Sequence, residues 1–182
     1  FIVANKSRSL NSKELRDVLP ENNEGMNIVP QILTNDSKRF ISIAKKLKDL
    51  GYNELNLNLG CPSGTVVSKY KGAGFLAKKA DLDKFLEEIF KIDDIKISIK
   101  TRLGKDTPEE FYDLIKIFNK YEMEELIIHP RTREDFYKNT PNLDVFKDAL
   151  SLSKNPVCYN GDIFTTKDYN KLITLFPNID KV

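Results

Sequence analysis

The chain has 182 residues, 40% hydrophobic and 31% charged, enough apolar matter for a sizeable core and too much for a disordered chain. Its 29 Lys and Arg against 27 Asp and Glu leave a net charge of +2, which excludes capture of nucleic acid by bulk electrostatics; such a partner has to be met by local contacts. No apolar run reaches membrane-spanning length, no secretory signal opens the chain, and the only cysteines are Cys61 and Cys158, which points to a reducing, cytoplasmic setting.

Phe1 to Ala4 reads as a strand, and Ile179-Asp180-Lys181-Val182 as the beginning of another, so the chain looks cut at both ends. Residues 8–25 are polar and read as a surface loop with a short helix over Lys13–Leu19. Asn27 to Leu33 reads as a buried strand in which Pro30 forfeits one ladder hydrogen bond. Asp36 then caps a helix with Phe40, Ile43, Ala44, Leu47 and Leu50 on one face, closed by Gly51. From Glu54 to Leu59 the leucines alternate with Asn56 and Asn58 in the period of a strand, which stops at Gly60-Cys61-Pro62.

After that loop, Asp81 is expected to cap a helix carrying Leu82, Phe85, Leu86 and Ile89, and Ile95–Ile99 forms a strand ending in Lys100-Thr101-Arg102. Thr107-Pro108-Glu109-Glu110 combines an N-cap, a first-turn proline and a capping-box glutamate ahead of Phe111, Leu114, Ile115 and Phe118. Glu125–Ile128 is a strand ending at His129-Pro130-Arg131, Leu143–Leu150 a helix, and Pro156–Tyr159 a strand ending at Asn160-Gly161-Asp162; Thr165 caps a last helix through Leu175. Strands recur roughly every 26–30 residues, apart from one interval of roughly 41 that contains the Cys61 loop. Such alternation predicts parallel strands with right-handed helical crossovers, and ligands bind at the C-terminal ends of strands so arranged.

Gln31, Asn58, Cys61, Lys100, Arg102, His129, Arg131, Asn160 and Asp162 all fall at those ends. His129 is the sole histidine, and three of the six arginines, Arg102, Arg131 and Arg133, follow strands. Arginine offers a planar fork to phosphate or carboxylate, and Lys100, desolvated on an apolar strand, is a counter-charge for an anionic ring. By itself Cys61 reads as a small packed hydrophobe, but its glycine and proline neighbours at a strand end turn the reading toward a reactive thiol. Cys158, inside a strand, reads as core. No spacing of metal ligands is found, and no metal is expected.

Taken together and in order, Asn58-Leu59-Gly60-Cys61-Pro62, Gly72-Ala73-Gly74-Phe75-Leu76, Lys100-Thr101-Arg102-Leu103-Gly104, His129-Pro130-Arg131-Thr132-Arg133 and Asn160-Gly161-Asp162-Ile163 give a chain that resembles the tRNA-dihydrouridine synthases. The resemblance implies an α/β fold, the FMN-binding (β/α)8 TIM barrel. Residues 1–182 would be a truncated part of it, without the first strand and the end of the last; the family's small C-terminal helical tRNA-binding domain would lie outside. It further implies that NADPH reduces FMN, that hydride passes from flavin N5 to C6 of a flipped-out uracil in tRNA, and that Cys61 protonates C5. Gln31, Lys100 and His129 would contact FMN, Asn160, Gly161 and Asp162 would line its ribityl–phosphate side, Asn58 would hold the uracil edge, and Arg102, Arg131 and Tyr137 would meet the uridine nucleotide or its backbone. Pro130 stands where the family commonly has glycine. Two alternatives stay open at this stage: an FMN barrel acting on a free pyrimidine, of the dihydroorotate dehydrogenase type, and a non-catalytic RNA-binding fragment.

Overall fold

A computed structural model describes residues 1–4 and 10–182, and in it the predicted alternation becomes a wholly parallel sheet in the order β1-β2-β3-β4-β5-β6. The strands are β1 (Ile2–Val3), β2 (Gln31–Leu33), β3 (Glu54–Leu59), β4 (Lys96–Gly104), β5 (Leu126–Thr132) and β6 (Val157–Tyr159). Between and after them lie α1 (Ser12–Val18), α2 (Ser37–Asp49), the single turn α3 (Gly64–Val67), α4 (Lys79–Ile89), α5 (Phe111–Phe118), α6 (Leu143–Leu152) and α7 (Thr166–Leu175). Each strand pairs with its sequence neighbour, as in the wall of a TIM barrel, and the sheet is open, with β1 and β6 at its edges. The Ile179–Val182 stretch makes one parallel bridge, Cys158 to Lys181, beside β6.

Alternation along the strands separates two faces. Leu55, Leu57 and Leu59 of β3 and Ile97 and Ile99 of β4 are buried with the helices' Phe40, Leu47, Leu82, Leu86, Phe111 and Phe118. Edge-to-face aromatic pairs, Phe75 with Phe85 at 5.4 Å and Phe146 with Phe176 at 5.2 Å, tie this layer together. The other face is polar. The register sets Asn56 beside Ser98, Asn58 beside Lys100 and Arg102 beside His129, and side chains level in a parallel ladder share a face.

Several local expectations need correction. Residues 8 and 9 of the polar segment lie outside the described residues, but its remainder is not simply loop: Asn11 and Glu14 close a reciprocal capping box on α1, and the second Glu14 oxygen accepts the Val3 N–H at 3.0 Å. That contact satisfies a donor on an edge strand. β2 starts only after Pro30, which has no N–H to give, although its carbonyl still accepts Asn56 N at 2.9 Å. Asp81 lies within the first turn of α4 instead of capping it, where its charge faces the positive helix end. β4 and β5 run through Lys100–Gly104 and His129–Thr132, so these residues lie in strands and not after them. Pro130 is accommodated where the β4–β5 ladder slips, between the pairs Arg102–His129 and Gly104–Thr132. The caps at Asp36 and Thr165 form as expected, and the capping-box Glu110 accepts the Thr107 N–H at 3.0 Å.

Candidate active site

The C-terminal ends of the strands open onto a cleft of about 440 Å3. The residues singled out from the sequence line it except Arg131, which stands directly behind His129, and Arg133. A larger hollow of about 640 Å3 lies between the start of α6 and α7, but of these residues it holds only Asp162. The smaller cleft, where the chemistry converges, is the candidate site.

Cys61 is positioned by the strand that precedes it. Asn58 Oδ1 accepts the backbone N–H groups of Gly60 (3.1 Å) and Cys61 (2.9 Å), which bends the chain sharply at the end of β3. Asn58 is itself held: its Nδ2 donates to Gln31 Oε1 (2.7 Å), Gln31 Nε2 donates to Asn56 Oδ1 (2.7 Å), and Asn56 Nδ2 donates to Ser98 Oγ (3.0 Å). This relay of amides fixes the orientation of each and leaves Gln31 and Asn58 one amide proton apiece for a ligand. Downstream, the expected loop is folded into α3 and a 3-10 segment, Gly72–Ala77, that returns to the thiol: Ala73 N donates to Cys61 O at 3.1 Å. Gly72, at φ +53°, and Gly74 permit that return. A Cβ at Gly72 would stand 2.7 Å from Cys61 O, and one at Gly74 2.7 Å from Val67 O. Cys61 is a half-buried free thiol.

Two cations share the next strand and do different things. Lys100 is half-buried and makes no hydrogen bond or ion pair among the described residues; burial, then the Arg102 charge, lowers its pKa. Arg102, only 2% exposed, is a stitch. Its Nε donates to Gly60 O (2.9 Å) and its Nη1 to Thr132 O and Phe136 O (both 2.8 Å), while the guanidinium lies 5.2 Å from the Tyr137 ring. One side chain thus joins the Cys61 turn to the loop after β5. Its hydrogen-bonding nitrogens are turned on protein carbonyls. Tyr137, 69% exposed, carries the aromatic rim of the cleft beside His129, with ring centroids 6.1 Å apart.

His129 is 6% exposed and Arg131 2%. Arg131 Nη1 lies 2.9 Å from His129 Nε2, its Nε donates to Asn139 O (2.5 Å), and the Asp162 carboxylate takes both of its Nη atoms at 2.8 and 2.5 Å. Burial, followed by the charges of Arg102, Lys100 and Arg131, pushes the His129 pKa down to about 4, so the imidazole is neutral at physiological pH. The Arg131 pair holds the Asp162 carboxyl below its usual range. Between them Gly161 packs on the Tyr159 ring; a Cβ there would fall 2.5 Å from the Tyr159 hydroxyl. Asn160 lines the cleft and donates its backbone N–H to Ile128 O (3.0 Å). Cys158 is half-buried, not plain core, and burial raises its thiol to about 11.

The sequence reading passed over Asn56 and Ser98. Their signal was present: polar residues in the period of the inward face, in the same strands as Asn58 and Lys100. It also gave Glu110 only a capping role, whereas its carboxylate gathers the N–H groups of Lys105, Asp106 and Thr107 at 2.9–3.0 Å and shapes the turn after β4. Among the described residues no group of three His, Cys, Asp or Glu side chains could hold a metal ion, and no helix is long and apolar enough to cross a membrane.

A family model described as dihydrouridine synthase matches residues 1–175. Similar proteins include the probable tRNA-dihydrouridine synthase of Rickettsia bellii, 31% identical over 121 residues, 66% of this chain and 37% of that protein. The tRNA-dihydrouridine synthase B of Pseudomonas aeruginosa is 27% identical over 176 residues, 94% of this chain and 52% of that one. That of Vibrio parahaemolyticus is 27% identical over 164 residues, 90% and 51% of the two chains. The chain thus spans about half or less of the length of these relatives.

Proposed function

The chain belongs to the dihydrouridine synthase family, and from that premise we propose that it supplies the central part of the FMN-binding catalytic barrel of an enzyme that reduces uridine to 5,6-dihydrouridine in tRNA, with NADPH as reductant. One observation carries the reading: the expected residues other than Arg131, though dispersed over 132 positions from Gln31 to Asp162, converge on one cleft around a thiol and a cation unpaired among the described residues. The residues suit a flavin. Lys100 offers a half-buried charge to an electron-rich ring, His129 a neutral imidazole, and Gln31 an amide proton already oriented by Asn56. When bound, FMN supplies the hydride chemistry.

What the chain's own residues contribute is position and a proton. The Asn58 turn holds Cys61 at the cleft wall, where its thiol is the proton source for C5 of the uracil. Asn58 keeps one amide proton for the base edge. Tyr137 offers the exposed ring on which a flipped base can stack, and such a grip offsets the few kcal/mol that extrusion costs. Asp162, being ion-paired, supports the reading as the anchor of Arg131 more than as a phosphate contact. Arg102 and Arg131 likewise support it by shaping the walls. The relatives' names support an RNA base over a free pyrimidine as substrate. The test is a flavin titration followed by a uridine-reduction assay on unmodified tRNA, with Cys61→Ala alongside. The expected outcome is saturable FMN binding by both proteins and at least about a hundredfold slower reduction by the variant. Full reduction by Cys61→Ala would remove the thiol from the mechanism, and no flavin binding would remove the enzyme reading.

A further inference from the structure

The Arg131 guanidinium sits among three partners of different kinds, and together they settle the hydrogen on the neighbouring imidazole. An arginine has donors and no acceptor, so the 2.9 Å approach of its Nη1 to His129 Nε2 makes Nε2 the acceptor. A neutral ring that accepts at Nε2 carries its proton on Nδ1. The arginine cannot swing away from this task. Asp162, held in the turn after β6, chelates both Nη atoms, and the carbonyl of Asn139, in the loop after β5, takes Nε. The charged groups that face the ring are Lys100 and Arg102 on β4, Arg131 on its own strand and Asp162 beyond β6, three cations and one anion. Each cation opposes a second proton on the ring. Among the described residues Nδ1 has no hydrogen-bond partner, yet it is not sealed from solvent, and the residue lines the cleft.

We propose that Arg131, anchored by Asp162, is a positioning residue that locks His129 as the neutral Nδ1–H tautomer, so that the ring offers the cleft one N–H donor and neither an acceptor nor a charge. The ligand atom facing it is then a hydrogen-bond acceptor, a carbonyl oxygen or an unprotonated ring nitrogen, with the formal counter-charge left to Lys100. Only the identity of that ligand as a flavin rests on the function proposed above; the tautomer does not.

Because His129 is the sole histidine, its ring nitrogens can be read without ambiguity in the 15N-histidine-labelled chain by long-range 1H–15N correlation, with no ligand present. The expected spectrum has a protonated, pyrrole-type Nδ1 and an unprotonated, pyridine-type Nε2, unchanged from pH 8 to pH 6. In Arg131→Met the lock is gone: Nε2–H becomes populated and the ring titrates at least one pH unit higher. Arg131→Lys, which preserves the charge but not the fork, is expected to mix the tautomers, and it serves if the methionine variant gives no dispersed spectrum. An Nε2–H or charged ring in the unsubstituted chain at pH 6 would overturn the proposal, as would an Nδ1–H tautomer and titration left unmoved in both variants. Since all of this is read on the free chain, its failure is separate from any failure to bind FMN.

Discussion

Replacing Arg102 by methionine keeps the length of the side chain and deletes the three hydrogen bonds to Gly60, Thr132 and Phe136. Hydrogen bonds from a charged donor contribute roughly 1.5–3 kcal/mol each, so the gross loss is on the order of 5–9 kcal/mol. Against this stands the cost of burying an arginine that has no carboxylate partner, a burden visible in the downward pull that burial exerts on its pKa. Relief of that burden offsets about half, leaving a net destabilisation of about 3–4 kcal/mol. For a domain of this size that is a fall in Tm of about 6–16 °C. Arg102→Lys preserves a cation able to reach one carbonyl, and its cost should be about 2 kcal/mol. The assay is urea unfolding with linear extrapolation, supported by amide exchange at Phe136, whose protection should fall in both variants. If methionine costs less than about 1 kcal/mol and Phe136 keeps its protection, Arg102 is not the stitch between the two loops.

His129 titrates near 4 in the folded chain and near 6.5 when unfolded, so between those values the unfolded state binds the proton and the folded state does not. Stability therefore falls as pH drops from about 6.5 to about 4; His129→Gln should be spared about 3 kcal/mol of that loss, measured by urea unfolding at pH 7 and pH 4, and parallel curves would refute it. Lys100→Met should weaken FMN binding about tenfold or more while leaving stability unchanged or raising it by up to about 1 kcal/mol, a split readable by calorimetric titration beside thermal melts; equal flavin affinity would remove Lys100 from the site. Gly74→Ala drives a methyl group against Val67 backbone atoms at 2.7 and 2.8 Å and should cost about 2 kcal/mol in thermal unfolding; a neutral substitution would show that the loop has room.

What could be read from the sequence was local. Asp36 and Thr165 cap because each stands within three residues of the N–H it serves, as Glu110 does for the N–H of Thr107, and the leucines of β3 alternate because one face meets helices. The lengths of β4 and β5 were underread because their inward positions carry Lys100, Arg102, His129 and Arg131, and an apolar pattern cannot register a strand whose free face is polar. That these residues gather in one cleft was legible from their position at strand ends. The division of labour among them was not, since Arg102 and Arg131 are committed to carbonyls of Gly60, Thr132, Phe136 and Asn139, and a backbone acceptor leaves no mark in a sequence. Only the folded arrangement separates Lys100, the cation left to the cleft, from the two arginines that build its walls.

The neighbour-to-neighbour order of the sheet also bears on how the chain is made. Each strand pairs beside the one synthesised just before it, so a chain emerging from the ribosome always finds its docking edge already in place. At translation speeds of about 5–20 residues per second, a strand–helix unit of roughly 30 residues appears every few seconds, while unassisted sheet formation is complete within milliseconds to seconds. Assembly can keep pace with synthesis, one unit at a time. Of the two strand edges at risk of aggregation during translation, the fresh one is covered by the arrival of the next strand, and the standing one, on β1, has its Val3 N–H taken by Glu14.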